Sequence, residues 1–312
     1  MWTPLEDEKL GLMKRVSALI HTSCLADPSL LPDLSAAKTL LATSDFAGEH
    51  KSSRFLAIGL MLVDLESWPQ WEEERIRVRE RAGICTRRFG YGKLTDRRKT
   101  NALRDFLAAA DTLHGLVAVI LFDKAIRDLF ESEPRDVPPY VEGISQRTLE
   151  RMLLVVHLLS MFLAGLSRQG QNVIWITDED EIAANDARLL QLTNVMANVS
   201  GHYLGHNLGH LRCGTTRSDT GILDIEDLAS IPDLAAGAMA EVSSAYKKAG
   251  GLPPSGLTLP LPSALPWRVS VIVNWLATRP PGLRRFILAV EHEEDSPALA
   301  MRVIKPVIVP IP

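Results

Sequence analysis

Three apolar segments that each end in an aspartate constrain the fold of this chain most strongly. They read LLATSD at 40–45, LHGLVAVILFD at 113–123 and NVIWITD at 172–178. Short runs rich in Val, Ile and Leu are typical of buried strands, and an acid at the end of such a strand can expose its carboxylate at a sheet edge. We therefore expect Asp45, Asp123 and Asp178 to lie at strand ends, where functional side chains collect in α/β proteins.

The segments around these strands predict the rest of the fold class. Residues 54–64 form an apolar run that returns after a short polar turn, which indicates a hairpin with the first strand. Apolar residues recur at helical spacing in 95–111, 146–168 and 182–199. A strand, an acid and a helix in succession are typical of α/β proteins, so we predict an α/β domain whose sheet is flanked by helices.

The two ends of the chain differ in pattern from this middle part. An amphipathic helix over 5–22 is followed by Pro28 and Pro32, and prolines between 253 and 266 precede a short helix near 269–277 and two apolar runs, 286–290 and 300–311. We therefore divide the chain into an N-terminal helical segment at 1–35, a main domain at 36–250 and a Pro-linked C-terminal appendage at 251–312 that packs on the main domain.

Composition excludes several functional classes. With 34 basic and 38 acidic residues the net charge is -4, so bulk attraction to nucleic acid or to an anionic membrane is excluded. The 3 cysteines are far apart, the N-terminus is acidic, and the apolar stretch 152–166 falls short of the roughly 20 residues that span a bilayer. These features predict a cytoplasmic protein without a membrane partner. P-loop, serine-hydrolase and dinucleotide motifs are absent from the sequence.

Three short motifs carry a resemblance to a known family. They are DFAG at 45–48, IWITD at 174–178 and IPDLAAG at 231–237. In their order and spacing they resemble the acidic motifs of a family of uncharacterised bacterial proteins with a ribonuclease H-like fold, which read D-E-S-G, a strand ending in Asp, and Q-x-A-D-L-x-A-G. The resemblance implies a mixed sheet of the ribonuclease H type. Phe46 stands where that family has its second acid, and Ser218-Asp219 reverses its Asp-Ser pair.

The chemistry that this resemblance implies is metal-assisted hydrolysis of phosphodiester bonds in RNA, DNA or a hybrid. Hard ions such as Mg²⁺ and Mn²⁺ take carboxylate oxygens, and two ions about 3.5 to 4 Å apart can activate water and stabilise the leaving oxygen. Asp45, Asp178 and Asp233 are the predicted catalytic metal ligands. The candidates for a further carboxylate are Asp180, Asp123 and Glu49.

Two alternatives stay open at this point. Acids that follow strands are often helix caps, and Asp178 or Asp180 could cap the helix predicted over 182–199, while Asp233 could be solvated. The protein could also keep the fold without the chemistry, as a catalytically silent binding or assembly protein, for example in a bacterial defence or mobile-element system.

A basic run with interleaved aromatic residues predicts a surface for nucleic acid. Its candidate phosphate-binding residues are Arg88, Lys93, Arg97, Arg98 and Lys99. Cations neutralise phosphates, and rings such as those of Phe89 and Tyr91 can stack on unpaired bases. The alternative is a pair of solvated helices in which nearby glutamates pair with part of the charge.

A histidine cluster offers a rival metal site. His202, His206 and His210 are spaced four residues apart, so on a helix they would share a face and could bind zinc. The glycines at 201, 205 and 209 disfavour a helix, however, and neither HExxH nor paired cysteines accompany them. The alternative is that the histidines line a close-packed glycine face or a substrate groove.

Overall fold

The computed structural model describes residues 2–126, 141–248, 250, 265–292 and 299–306. The strands are β1 (Thr39–Ala47), β2 (Phe55–Asp64), β3 (Gly115–Asp123), β4 (Asn172–Thr177), β5 (Leu211–Thr215), β6 (Leu283–His292) and β7 (Leu299–Val303). The α-helices are α1 (Gly11–Ala26), α2 (Trp68–Ala82), α3 (Arg97–Ala110), α4 (Gln146–Leu166), α5 (Asp186–Tyr203), α6 (Asp224–Lys248) and α7 (Trp267–Ala277). The predicted linker residues 251–264 and the chain end 307–312 lie outside the described residues.

Seven strands of the described chain form one mixed sheet in the order β5-β4-β1-β2-β3-β6-β7. Strand β2 runs antiparallel to β1 and β3, β7 runs antiparallel to β6, and the remaining neighbours are parallel. The predicted α/β class is confirmed. The antiparallel strands β2 and β3 therefore lie on one side of β1, and the parallel strands β4 and β5 lie on the other.

Helices cover both faces of the sheet and enclose two cores. On one face α2, α3, α6 and α7 pack against residues such as Leu41, Val117 and Ile287. On the other face α1, α4 and α5 pack against residues such as Leu40, Leu116 and Phe286. Successive side chains of a strand point to opposite faces, so a strand covered on both faces is apolar at every position. Every residue of β3 is buried, which accounts for its uninterrupted apolar run.

Helix α4 is long and apolar because it lies inside the second core. Among the described residues it is the one helix whose length and composition would also allow it to cross a bilayer. Twelve of its residues, including Met152, Leu159 and Phe162, are buried against the sheet and its neighbouring helices. This burial agrees with the predicted core helix, while the cytoplasmic location stays a prediction.

Both ends of the chain join the central architecture. Helix α1 buries Val16 and Ile20 in the second core, and Trp2 donates from its ring nitrogen to Ser17. At the other end β6 pairs in parallel with β3, and its residues 286–290 are buried. Within the segment expected as an appendage, β6 and β7 extend the sheet and α7 packs in the first core, while the division into domains stays a prediction. An apolar run predicts a strand but does not name its pairing partner.

Candidate active site

Parallel pairing brings Asp45 and Asp178 to the same edge of the sheet. The register pairs Ser44 of β1 with Thr177 of β4, and an aspartate follows each of these residues. Alternation along the strands places Asp45 on the face of Leu41 and Asp178 on the face of Ile176, and both of those residues belong to the core that contains α6. The two predicted ligands thus lie at one level and on one face.

Helix α6 brings the third acid to this point by a close approach to β2. Gly59 pairs with Asp45 across the sheet, and a Cβ atom at position 59 would lie 2.3 Å from the carbonyl oxygen of Pro232. The helix backbone therefore rests directly on β2 beside Asp45. Asp233 is the next residue of α6, and its charge acts on the carboxylate of Asp45.

One carboxylate oxygen of each acid is held by a hydrogen bond. Asp45 Oδ1 accepts from the backbone N–H of Phe46 at 2.6 Å, and Asp233 Oδ2 accepts from that of Tyr91 at 2.6 Å. Asp178 Oδ1 accepts from the Thr216 hydroxyl at 2.8 Å. In the described part of the chain no protein donor bonds to the second oxygen of any of the three. Those oxygens are free to take a cation.

Three acids of this cluster, Asp45, Asp233 and Asp180, have a raised pKa. Burial raises the pKa of Asp45 well above its usual value, and the charges of Asp233, Asp178 and Asp180 add to the effect. Burial, with a contribution from Asp178, raises the pKa of Asp233 to about 6, although the Tyr91 N–H and the charge of Lys93 oppose the shift. Burial also raises the pKa of Asp180 to about 6, with Asp178 adding to it. Such crowding is typical of functional carboxylates.

The three candidates for a further carboxylate have different surroundings. Asp180 lies in this cluster, with Oδ1 accepting from the backbone N–H of Ile182 at 2.9 Å. Glu49 is exposed and forms an ion pair with Arg151. Asp123 is buried elsewhere: it pairs with Phe55, four residues along β2 from the partner of Asp45, and Arg54 binds it at 2.8 and 3.0 Å. The structure does not bring Asp123 to the cluster.

The donor set suits Mg²⁺ or Mn²⁺ chemically, because it consists of carboxylate oxygens. Among the described residues, no three His, Cys, Asp or Glu side chains are already grouped as ligands of one ion. Binding a metal would therefore require the carboxylates to turn their second oxygens toward a common point. Phe46, which stands at the family's second-acid position, packs against the opposite core, so an acid there would not face α6.

The predicted basic surface divides into two groups. Arg88 and Lys93 lie near the acids, since Arg88 pairs with Glu226 at 3.0 Å and the charge of Lys93 acts on Asp233. Arg97 and Arg98 are exposed on α3. Lys99 requires a correction, because its side chain is buried and donates to the carbonyl oxygen of Arg88 at 3.0 Å. That contact leaves it little access to a phosphate.

Two arginines of α2 are also structural. Arg75 and Arg79 are buried on α2 and bind Asp227 of α6 at 3.2 and 3.0 Å. These arginines join α2 to α6 inside the first core and are not a surface for nucleic acid.

The histidines do not share a helical face. Helix α5 ends at Tyr203, so it carries His202, whereas His206 and His210 follow in the connection to β5. His206 bonds to the Ser167 hydroxyl at 2.8 Å, and the carbonyl oxygen of His210 accepts from Val173 at 2.7 Å. The helical spacing on which the zinc hypothesis rested is therefore not formed, for the reason that the glycines indicated.

Three residues near the cluster were not predicted from the sequence: Gly59, Tyr91 as a backbone donor, and Glu226. Glu226 lies seven residues before Asp233 on α6, about two turns away and hence on the same face. That spacing was readable from the sequence once a helix was placed there. Gly59 and the Tyr91 N–H act through tertiary contacts, and the sequence gives no local signal for either.

Two clefts flank the acids. One has a volume of about 690 Å³ and is bordered by Asp233, Tyr91 and the β1–β2 turn. The other has a volume of about 340 Å³ and is bordered by Asp178, Arg88 and Glu226. The cluster is therefore bordered by one cleft at Asp233 and by another at Asp178.

Comparison with known proteins adds little to this geometry. No family model matches the chain, and no curated protein matches it. Among solved structures, the crystal structure of the ribonuclease H2 from Pyrococcus horikoshii OT3 is similar, with 14% sequence identity and a TM-score of 0.33 over 79% of this chain and 92% of that chain.

Proposed function

We propose that the protein is a divalent-metal-dependent nuclease that hydrolyses phosphodiester bonds, with Asp45, Asp178 and Asp233 as its metal ligands. One observation carries the proposal: acids from β1, β4 and α6 lie near one sheet edge, where burial and the charges of neighbouring acids raise the pKa of Asp45 and of Asp233. Helix capping does not account for Asp45 and Asp233, since each lies inside its element rather than at the start of a helix. Crowded acids without a counter-ion cost stability, and a cation offsets that cost.

The protein groups have distinct parts in this chemistry. The Tyr91 N–H and the Thr216 hydroxyl fix the orientation of Asp233 and Asp178 through one oxygen each, which leaves the other oxygen for a cation. Asp45, with its raised pKa, would release its proton when a cation binds. Bound Mg²⁺ or Mn²⁺ would supply the activation of water and the stabilisation of the leaving oxygen.

Thermal melting tests the metal ligands directly. We expect Mg²⁺ or Mn²⁺ to raise the melting temperature of the wild-type protein, because an ion that binds the folded state alone stabilises it by linkage. Asp45→Asn should respond to the ions at least several-fold less strongly. Asp105→Asn, an exposed acid on α3 that pairs with Arg81, is the matched control and should respond like wild type. An equal response of Asp45→Asn and wild type would contradict the metal site.

Cleavage then tests the activity. Labelled RNA, DNA and hybrid strands are incubated with Mn²⁺, and product formation should be lost in Asp45→Ala and Asp233→Ala. If a metal stabilises the protein but no strand is cleaved, the nuclease proposal fails.

A catalytically silent binding protein is the second candidate. It is favoured by one observation, namely that no three ligand side chains of the described residues are grouped for a metal. On this reading the acids and the cations Arg88 and Lys93 serve recognition of nucleic acid or assembly, in a cytoplasmic bacterial setting. Binding of a strand that is equally tight with and without Mn²⁺, together with no cleavage, would favour this candidate.

A further inference from the structure

The smaller of the two clefts is lined by charged side chains beside Asp178. It has a volume of about 340 Å³, and its border includes Arg88, Asp178, Thr216, Arg217, Asp219 and Glu226. Asp219 is committed to the start of α6, because it accepts from four backbone N–H groups at 2.7 to 3.2 Å. The side chains that remain to contact a ligand are chiefly the two arginines.

Arg88 is held at both its backbone and its side chain. Lys99 donates to its carbonyl oxygen at 3.0 Å, and the buried Arg79 donates to the carbonyl oxygens of Ile84 and Arg87 at 3.1 and 2.9 Å. The side chain is 58% exposed, and its Nη1 lies 3.0 Å from Oε1 of Glu226, which is only 10% exposed. A surface arginine that lines the cleft is thus held through Nη1, and no hydrogen bond among the described residues engages its Nη2 or Nε.

Arg217 differs from Arg88 in how many of its terminal nitrogen atoms are already paired with acids. Its Nη1 lies 3.4 Å from Glu179, and its Nη2 pairs with Asp186, so both terminal nitrogens are engaged. The terminal nitrogens of a guanidinium make its paired contacts with phosphate oxygens. Of the two arginines in the cleft, Arg88 is therefore the one with a terminal nitrogen to offer.

We propose that this cleft is the phosphate subsite of the substrate strand, in which Arg88 binds a phosphate oxygen next to the acid cluster and Glu226 positions it. The inference rests on the proposed function, which it deepens by naming the phosphodiester backbone as the group bound on the Asp178 side. Glu226 acts through Arg88 and is a positioning residue. A planar guanidinium with two open donors suits a phosphate oxygen better than a mobile lysine does.

The charge of the cleft sets a condition on binding. Two arginines face four acids along its border, so the cleft is negative by itself. A phosphate would enter it favourably once a cation at the neighbouring aspartates offsets that charge. Binding of the strand in the subsite should therefore be tighter with Mn²⁺ than without it.

The test is a double-mutant cycle on strand binding. Fluorescently labelled 12-nucleotide RNA, 12-nucleotide DNA and the DNA duplex are titrated with Mn²⁺ present. Phosphorothioate linkages, which keep the negative charge of the backbone, slow cleavage of the strands during the titration. Arg88→Ala should raise the Kd by roughly 5- to 30-fold and lower the slope of log K against log salt by about 0.7 to 0.9, the value of one lost phosphate contact. Arg77→Ala, an exposed arginine of α2 paired with Glu73 and Glu74, should change neither quantity.

Glu226 is tested in the same cycle. Glu226→Ala should weaken binding about as much as Arg88→Ala, and the double variant should bind no worse than Arg88→Ala alone, because both changes remove one contact. Glu226→Gln keeps an acceptor for Arg88 and should restore most of the affinity. Additive losses in the double variant would show that Glu226 acts apart from Arg88, for example on a cation, and would overturn its positioning role.

The outcomes separate the subsite from the nuclease proposal. Arg88-dependent binding without metal-dependent cleavage leaves the subsite standing and overturns the nuclease. Cleavage that depends on Asp45, together with unchanged binding and salt slope in Arg88→Ala, overturns the subsite alone. Failure of all three strands to bind also overturns it. Melting temperatures of the variants, with Arg88→Lys as a second change at the position, identify a loss caused by misfolding.

Discussion

Two aspartates at and within α6, Asp219 and Asp233, have pKa shifts of opposite direction in the folded chain. Burial alone would raise the pKa of Asp219, but hydrogen bonds from the backbone at the start of α6 outweigh it and lower that pKa. Asp233, nine residues into the same helix, has its pKa raised to about 6 by burial and by Asp178. Asp219 therefore caps the start of α6, whereas Asp233 lies where its negative charge is disfavoured.

This difference predicts a pH dependence for Asp233→Asn without divalent ions. The folded state holds the Asp233 proton more tightly than the unfolded chain does, so wild-type stability falls as the pH rises from about 4 to about 6. At pH 8 the variant should be more stable than wild type by about 1 to 2 kcal/mol, after allowance for partial exposure. The difference should fade toward pH 4. Urea unfolding with a chelator at both pH values measures it.

The control for this prediction is an acid whose pKa shifts the other way. The pKa of Asp96 is lowered by its contact with Arg87, so Asp96→Asn should not gain stability at pH 8. If Asp233→Asn were instead destabilised at pH 8, Asp233 would be a stabilising ion rather than a crowded one.

The element that completes the site is α6, and its distance from the sheet decides whether the acids meet. Its backbone touches β2 at Gly59, and one turn after Asp233 the ring of Tyr91 lies against Gly237, where a Cβ atom would be 2.2 Å away. Gly59 thus lets α6 approach the sheet, and Gly237 lets the ring of Tyr91 pack against α6. This contact places Tyr91 where its backbone N–H donates to Asp233.

Gly59→Ala should separate these elements. The added methyl group would meet the Pro232 backbone at 2.3 Å, which cannot yield as a flexible side chain can. We expect a loss of about 3 kcal/mol in the free energy of unfolding, and a loss of the metal-induced rise in melting temperature. Denaturant titration and melting with Mn²⁺ measure the two effects.

Gly201→Ala is the matched control for the glycine substitution. Gly201 is exposed on α5, and no atom lies within 4 Å of its added Cβ position. Alanine favours a helix over glycine, so this variant should gain up to about 0.5 kcal/mol and keep the metal response. A neutral effect of Gly59→Ala would mean that α6 can move away from β2 without cost.

At the scale of the whole molecule, one sheet connects residues that are far apart in the chain. Strand β3 is hydrogen-bonded to β2 on one side and to β6 on the other, with about 160 residues between β3 and β6 in the sequence. Helix α7 packs on the same core as α3 and α6. The C-terminal part is therefore expected to fold together with the main domain.

Truncation tests this dependence. A chain that ends at residue 250 lacks α7, β6 and β7 and would expose the buried edge of β3. We expect it to show no cooperative thermal unfolding, because an unpaired apolar strand loses both its ladder and its cover. A chain that ends at residue 306 keeps every described element and should unfold cooperatively. A cooperative transition for the shorter chain would restore the view of 251–312 as an appendage.

Much of the fold was predictable from particular segments. The runs at 40–45, 113–123 and 172–178 predicted β1, β3 and β4, because strands covered on both faces need apolar residues throughout. The second core also explains the apolar length of α4. The inward positions of Arg75, Arg79 and Lys99 were not predictable, since buried ion pairs and buried amines look like surface charge in a sequence.

The sequence by itself determined the α/β class, the strands and which acids end them, since these depend on local pattern and the two-residue period of a strand. The tertiary structure alone decided which acids meet. Asp45, Asp178 and Asp233 lie near one another because β1 and β4 pair in register and α6 approaches Gly59, whereas Asp123 ends an equally apolar strand and binds Arg54 instead. Pairing register and close helix contact are long-range properties, and no local segment of the chain specifies them.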